Sequence, residues 1–316
     1  MTYSYNAHAK INWALNIIGR RADGYHLLDM LMQAIALHDT LEIEPAEGLS
    51  LTVDGAPAGE ENLVLRAAMA LNRRAGTRHG ARLWLTKRIP ARAGLGGGSA
   101  DCATALRALN GLWELGLTDE ALLETGLGLG ADVPFCLTGG LAVVRGIGEA
   151  ITPIAQAPEI PLVLVVPGGG LSTGAVFSLW DRGGYPDVAL DTDTLAKAVA
   201  ARRFSDIDRL NANALTAPAV SLLPEIGQLI GHMRALGAAT AFMTGSGSAV
   251  VGAFEDPEAA AAAAREMPGA ILTKSLTNTD LSRCTQHPKA FPRQRSCRFR
   301  GRWISAKTLA FLPKDG

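Results

Sequence analysis

The chain has 316 residues, 48% hydrophobic and 19% charged, which gives enough apolar material for two folded lobes and excludes a chain disordered throughout. Thirty basic residues balance thirty acidic ones, which argues against a nucleic-acid binder, whose phosphate contacts call for a basic surplus. The balance is uneven: nine Lys or Arg and one acid lie from Arg283 onward, leaving 21 basic and 29 acidic residues before them.

In chain order, Ala9 to Ile18 alternates with Ile11, Trp13, Leu15 and Ile17 on one face and predicts a strand. Leu41–Glu44 and Leu49–Val53 continue the two-residue period and are expected to be antiparallel strands. Glu61 to Ala75 switches to helical spacing, Ala81 to Ile89 returns to alternation, and Ser99 to Leu115 and Asp119 to Leu127 are helical. A joint at Pro158–Pro161 precedes the short apolar strand Leu162–Val166, which is far too short to cross a bilayer. Helices are expected at 173–179, 192–201, 222–236 and 256–266, the last with Asp256 as cap and Pro257 in its first turn. Strand-like 241–244 and 249–254 flank Gly245–Ser248, for which a plain hairpin turn stays open. Strands mixed with helices without strict alternation indicate an α+β protein of two lobes, 1–157 and 158–280, followed by a basic tail, 281–316, expected to be poorly ordered. The cysteines, Cys102, Cys136, Cys284 and Cys297, form no CxxC pair and are expected to be reduced thiols, Cys102 as a small packed residue. With a polar start at Thr2–Asn6, this predicts a cytoplasmic protein with no membrane or nucleic-acid partner.

The strongest chemical signal is Pro90-Ala-Arg-Ala-Gly94-Leu-Gly96-Gly97-Gly98-Ser99, between a strand and a helix. Glycines let the backbone approach a ligand, and the helix that follows offers free N–H groups and the positive end of its dipole. The combination is a cradle for a di- or triphosphate. Ser99 is expected to cap the helix or to reach a phosphate or magnesium. No lysine follows the glycines, which rejects a Walker loop; Ser99 stands where a Rossmann turn needs glycine. Lys10, inside an apolar strand where a lone ammonium is costly, demands a partner.

The loop resembles the phosphate loop of the GHMP kinases. Ala9-Lys10-Ile11-Asn12-Trp13-Ala14-Leu15, Gly19-Arg-Arg-Ala-Asp-Gly-Tyr25-His26, Gly130-Ala-Asp132-Val-Pro134 and Thr244-Gly-Ser-Gly-Ser248 narrow the resemblance to the 4-diphosphocytidyl-2-C-methyl-D-erythritol kinases. The resemblance covers residues 5 to roughly 275 and implies a two-lobed fold: a ribosomal protein S5 domain 2-like lobe and a ferredoxin-like α/β lobe. It implies ATP and Mg2+ as cofactors, a cytidine diphosphate sugar alcohol as substrate, and a monomer or weak homodimer. By that resemblance Asp132 is the general base and Lys10 its electrostatic partner, and alanine at either is expected to fold normally and lose turnover. It implies that Asn62, Lys87, Pro90, Gly94, Gly96, Gly97, Gly98 and Ser99 hold ATP, with Ser99 the one candidate magnesium ligand. Asn12, Tyr25, His26, Thr173, Phe177, Gly245 and Ser246 are implied for the acceptor, with His26 on the cytosine edge, Tyr25 on its face and Phe177 opposite. An ordinary core aromatic stays open for Phe177. The alternatives are another GHMP kinase, acting on homoserine, mevalonate or a sugar, and an RNA-binding protein that uses the basic tail.

Overall fold

The computed structural model describes residues 1–168, 170–185, 190–278 and 289–291. Its first part runs β1 (Thr2–Arg20), β2 (His26–Ala46), β3 (Leu49–Val53), β4 (Ala56–Pro57), α1 (Leu63–Ala75), β5 (Gly80–Thr86), α2 (Gly97–Leu112), α3 (Asp119–Leu127), α4 (Val133–Thr138), β6 (Leu141–Gly146) and β7 (Ala150–Ile154). The second part runs β8 (Pro161–Val165), α5 (Thr173–Asp181), α6 (Thr192–Ala200), α7 (Phe204–Leu210), α8 (Thr216–Leu222), α9 (Glu225–Ala235), β9 (Thr240–Met243), β10 (Val250–Ala253), α10 (Pro257–Glu266) and β11 (Ile271–Lys274). A short β12 (Lys289–Phe291) pairs antiparallel with Thr2–Ser4; the rest of the expected tail lies outside the described residues.

β1 and β2 form one long antiparallel ribbon, turned by Arg21 N–H to the Tyr25 carbonyl at 2.8 Å. β1 extends beyond the expected Ala9–Ile18 because Tyr3–His8 pairs with His38–Ile43, a partner that single-strand periodicity does not reveal. Its register shifts between His8 and Lys10 and again between Asn12 and Ala14. These irregularities bracket Lys10 and Asn12 and set where their side chains aim. β2 then serves two neighbours: its N-terminal half pairs with β6 and its C-terminal half with β5.

β3 departs from expectation. It runs parallel to β5, Leu49 opposite Ala81 through Val53 opposite Leu85, and β5 lies between it and β2. The intervening α1 supplies the long crossover that a parallel return needs. The helix expected over 222–236 forms as the single helix α9, three residues later at its start than expected. Leu223 precedes Pro224 and is extended at φ −143° and ψ 85°, so α8 stops at Leu222 and α9 begins afresh. α10 matches its cap: Asp256 Oδ1 accepts from Ala259 N–H at 2.8 Å.

The second sheet, β11-β8-β10-β9, is antiparallel throughout. One apolar core crosses from sheet to sheet. It joins Ile11, Trp13 and Leu31 of the first to Leu162, Leu164, Phe242 and Val251 of the second. Ile89, Ala93 and Leu95, all from the glycine-rich segment, are buried in that same core. Each large side chain so buried contributes roughly 1.5–3 kcal/mol. The phosphate loop is therefore bolted down by the same residues that join the two halves. Among the described residues no helix is long and apolar enough to cross a membrane.

Candidate active site

A cleft of about 680 Å³ opens where the two sheets meet, lined by Lys10, Asn12, the loop from Pro90 to Ser99, Asp132, Thr173 and Gly245–Ser246 among others. Its floor is the start of α2. Gly96 is the cap residue, left-handed at φ 70°, and no side chain satisfies the first amides of the helix. Those N–H groups and the dipole behind them are open to an anion. Of the two roles expected for Ser99, capping is not adopted: the helix begins at Gly97, which places Ser99 inside the first turn on the cleft wall. Sequence spacing alone did not show that Gly96, free to adopt positive φ, would take the cap.

Gly94 and Gly96 have steric duties as well. A Cβ on Gly94 would lie 2.4 Å from the Thr244 carbonyl oxygen, and one on Gly96 would lie 2.9 Å from Lys10 Cγ. The loop thus packs backbone to backbone on the Thr244–Ser248 turn, and it rests on the aliphatic stem of Lys10. Lys10 N–H donates to the Leu95 carbonyl at 3.0 Å, and Asn12 N–H donates to Thr244 Oγ1 at 2.7 Å.

Lys10 is buried with its ammonium 2.7 Å from Asn12 Oδ1 and 3.4 Å from Asp132 Oδ2. Asp132 occupies the cap position of α4 without using its carboxylate as a cap, and its side chain is 32% exposed. Asp132 therefore lines the cleft while its Oδ2 meets the ammonium. Residues 10, 132 and 94–99, distant in the chain, converge on one space.

On the opposite wall Lys87 lies between two carboxylates, Asp39 and Asp101, the latter at 2.5 Å. Asp39 is fully buried and also accepts from Arg88 N–H and, at 2.8 Å, from Ile89 N–H, fastening the approach to the phosphate loop. Burial pushes Asp101 up to about 7, Lys87 opposing the shift and Asp39 adding to it. Burial alone would lower Lys87, but Asp101 and Asp39 outweigh it and hold the ammonium above its ordinary value. Among the described residues Asp101 Oδ1 has no hydrogen-bond partner. Sequence reading missed both acids, although Asp101, among the small apolar residues of α2, is the kind of buried charge that signals a partner. Asn62 lines the cleft but uses its Oδ1 to cap α1 through Val64 N–H at 2.9 Å.

Elsewhere on the cleft wall Thr173 Oγ1 and Ser246 Oγ are 2.8 Å apart, and Asn213 Nδ2 donates to the Met243 and Gly245 carbonyls. Gly245–Ser248 joins β9 to β10 as a hairpin connection, yet Gly245 and Ser246 also line the cleft. Phe177 reaches the cleft; Tyr25 and His26 do not line it. The expected arrangement of Tyr25 and Phe177 on either side of a base is not what the side chains adopt. His26 itself stacks on Phe177 with centroids 4.7 Å apart, and its Nε2 is 2.7 Å from Asp181 Oδ1, while Tyr25 is 61% exposed. Asp181, which also pairs with Arg20, is a second residue the sequence did not flag. Among the described residues no group of three His, Cys, Asp or Glu could hold a metal ion.

The N-terminal domain model of the GHMP kinases matches residues 62–140 and the C-terminal model matches 195–271. A 4-diphosphocytidyl-2-C-methyl-D-erythritol kinase of Pelotomaculum thermopropionicum is 45% identical over 258 residues, covering 80% of this chain and 90% of its own. The protein of the same name from Moorella thermoacetica is 43% identical over 282 residues, covering 85% and 98%. A crystal structure of 4-(cytidine 5'-diphospho)-2C-methyl-D-erythritol kinase superposes with a TM-score of 0.73 at 39% identity, covering 86% of this chain and 98% of its own. A homoserine kinase from Cytophaga hutchinsonii, at 18% identity and a TM-score of 0.64, shares the fold. The chain belongs to the GHMP kinases, in the branch whose members are named 4-diphosphocytidyl-2-C-methyl-D-erythritol kinase, and is an ATP-dependent kinase.

Proposed function

We propose that the chain transfers the γ-phosphate of ATP to the 2-hydroxyl of 4-diphosphocytidyl-2-C-methyl-D-erythritol, a step of the methylerythritol phosphate route to isoprenoids, in the cytoplasm. The observation that carries this reading is the Lys10–Asp132 pair facing the uncapped start of α2 across one cleft. Phosphoryl transfer needs placement, a base and positive charge more than covalent help. Asp132 takes the proton of the attacking hydroxyl. That oxygen bonds to the γ-phosphorus as the bond to the β–γ bridging oxygen breaks, and ADP leaves. Lys10 offsets charge on the transferring oxygens, and the amides of Gly97, Gly98 and Ser99 hold the phosphates. Pro90, Gly94 and Gly96 shape this cradle, while Asn62 and Lys87 bound the nucleotide end.

Asn12, Thr173, Gly245 and Ser246 face the reacting end of the acceptor. Phe177 and His26 bound the cytosine, which enters when their stack parts and His26 offers its edge beside Tyr25. The donor set suits magnesium carried by phosphate oxygens and water, with the Ser99 hydroxyl as its protein ligand, because the described residues supply no cage of three carboxylates. Bound there, the ion would neutralise the phosphate charge. We further propose that the lobes divide near residue 157 and that the protein acts as a monomer or weak homodimer.

A coupled ADP-release assay across 4-diphosphocytidyl-2-C-methyl-D-erythritol, homoserine and mevalonate tests the reading. Turnover confined to the first, and lost in Asp132→Asn, is expected. Preference for another acceptor sinks it.

A further inference from the structure

We infer that Arg92 is a phosphate-binding cation of this cleft and grips the diphosphate of the acceptor. The inference rests on the proposed function for the identity of that acceptor.

The charges around the cleft carry the argument. Three cationic side chains line it: Lys10, Lys87 and Arg92. Lys10 is matched by Asp132, and Lys87 by Asp39 and Asp101. The Arg92 guanidinium is exposed and has no hydrogen-bond or ion-pair partner among the described residues. A site that must receive a triphosphate and a diphosphate together thus keeps one cation uncompensated. Guanidinium offers a planar fork of donors that fits phosphate oxygens two at a time.

The backbone points the same way. Arg92 is left-handed at φ 54°, a conformation that glycine adopts without strain and a side chain resists. Room is made for it on the other side: a Cβ on Gly170 would fall 2.6 Å from Arg92 Cβ and equally close to its carbonyl oxygen. Leu171 N–H donates to the Arg92 carbonyl at 3.1 Å, and Ala249 N–H donates to the Ala93 carbonyl at 3.1 Å. Arg92 is therefore fixed where the phosphate loop abuts the segment leading to Thr173 and Phe177, which is the acceptor side. The triphosphate cradle lies at the far end of the loop, from Gly96 to Ser99.

Arg92→Gly and Arg92→Lys separate this role from a structural one. Glycine relieves the left-handed strain, so its unfolding midpoint should equal or exceed that of the wild type. Its KM for 4-diphosphocytidyl-2-C-methyl-D-erythritol should rise about tenfold, equivalent to about 1.4 kcal/mol. Its KM for ATP and its kcat should stay within about twofold. Arg92→Lys should recover part of the loss, and the gap between wild type and Arg92→Gly should narrow in high salt. An unchanged acceptor KM, or a rise confined to ATP, overturns the inference. Equilibrium titration of the same acceptor without ATP gives the comparison independently of turnover. Wild-type protein that binds it without phosphorylating it would refute the proposed reaction, while a tenfold weaker Arg92→Gly would still uphold Arg92. Wild-type protein that does not bind it would overturn both.

Discussion

Replacing Lys10 by Met probes the centre of the site, because methionine keeps the stem packed on Gly96 and removes only the ammonium. At 3.4 Å and an effective dielectric of about 20, Lys10 and Asp132 attract by about 5 kcal/mol before screening, which the part-exposed carboxylate reduces. The two partners are not equally stranded by losing each other. Asp132, with 32% of its side chain exposed, rehydrates when Lys10 is gone; Lys10, at 5%, cannot rehydrate when Asp132 is gone. Lys10→Met should therefore change stability by no more than about 1 kcal/mol, whereas Asp132→Ala should cost about 3 kcal/mol by leaving a buried ammonium with only Asn12 Oδ1. This amends the expectation that alanine at either position folds normally. Both variants should lose kcat, Lys10→Met by about 10²–10³-fold, the scale of deleting one group that stabilises transition-state charge. Urea unfolding and single-turnover kinetics on the pair decide it. Near wild-type turnover in Lys10→Met, or equal destabilisation of the two variants, refutes the reasoning.

Gly94→Ala should lower stability by about 1–3 kcal/mol and impair activity, because its Cβ would meet the Thr244 carbonyl at 2.4 Å with φ at 75°; thermal melts unshifted from the wild type would contradict it. Asp101 is raised from 3.8 to about 7, so its stabilising contribution is complete below about pH 4 and is lost as pH rises through about 7. Asp101→Asn, which cannot ionise, should gain stability relative to the wild type as pH rises from about 4 to 7, and parallel stability–pH profiles across that range would count against the shift. Burial pushes the Cys102 thiol up to about 12 and raises Cys136 as well. Neither should be alkylated by iodoacetamide in the native protein near pH 8, with peptide mass mapping as the readout; rapid labelling of either would show an ionised thiol.

What the sequence made legible was what the chemistry demands locally. The glycine-rich segment announced an anion cradle because its function lies in backbone freedom at consecutive positions, and Lys10 announced a partner because a cation in an apolar strand is costly. What stayed hidden depends on pairings across the fold. Asp39 stands within a long strand and Asp181 at a helix end, and only the folded chain brings the first to Lys87 and the second to His26. The parallel pairing of β3 was likewise invisible, since a two-residue period fixes which face is buried and is silent about which neighbour lies alongside. The helix start was expected at Ser99, two residues late, because serine is a good cap in general, while here left-handed Gly96 ends the loop and starts the helix.

The site draws its geometry from three segments that hold one another through backbone N–H groups, one of them donating to the Thr244 side-chain hydroxyl, and through close backbone contact. β1 is bonded to the phosphate loop through Lys10 N–H and to the β9–β10 turn through Asn12 N–H. That turn and the loop are in turn pressed together at Gly94 and Gly245, where a Cβ on either would collide with the other's backbone. These hydrogen bonds and close backbone contact leave little room for independent movement. The ammonium of Lys10 and the open amides of α2 are therefore held in register before any ligand arrives. A carboxylate and an ammonium acting on a phosphoryl group gain most when no reorganisation is left for the moment of transfer. At the Phe177 end of the cleft the contact is instead side chain on side chain, His26 stacked on Phe177. Whatever conformational step limits this enzyme should accordingly lie in opening that aromatic pair, and not in assembling the charges around the phosphate loop.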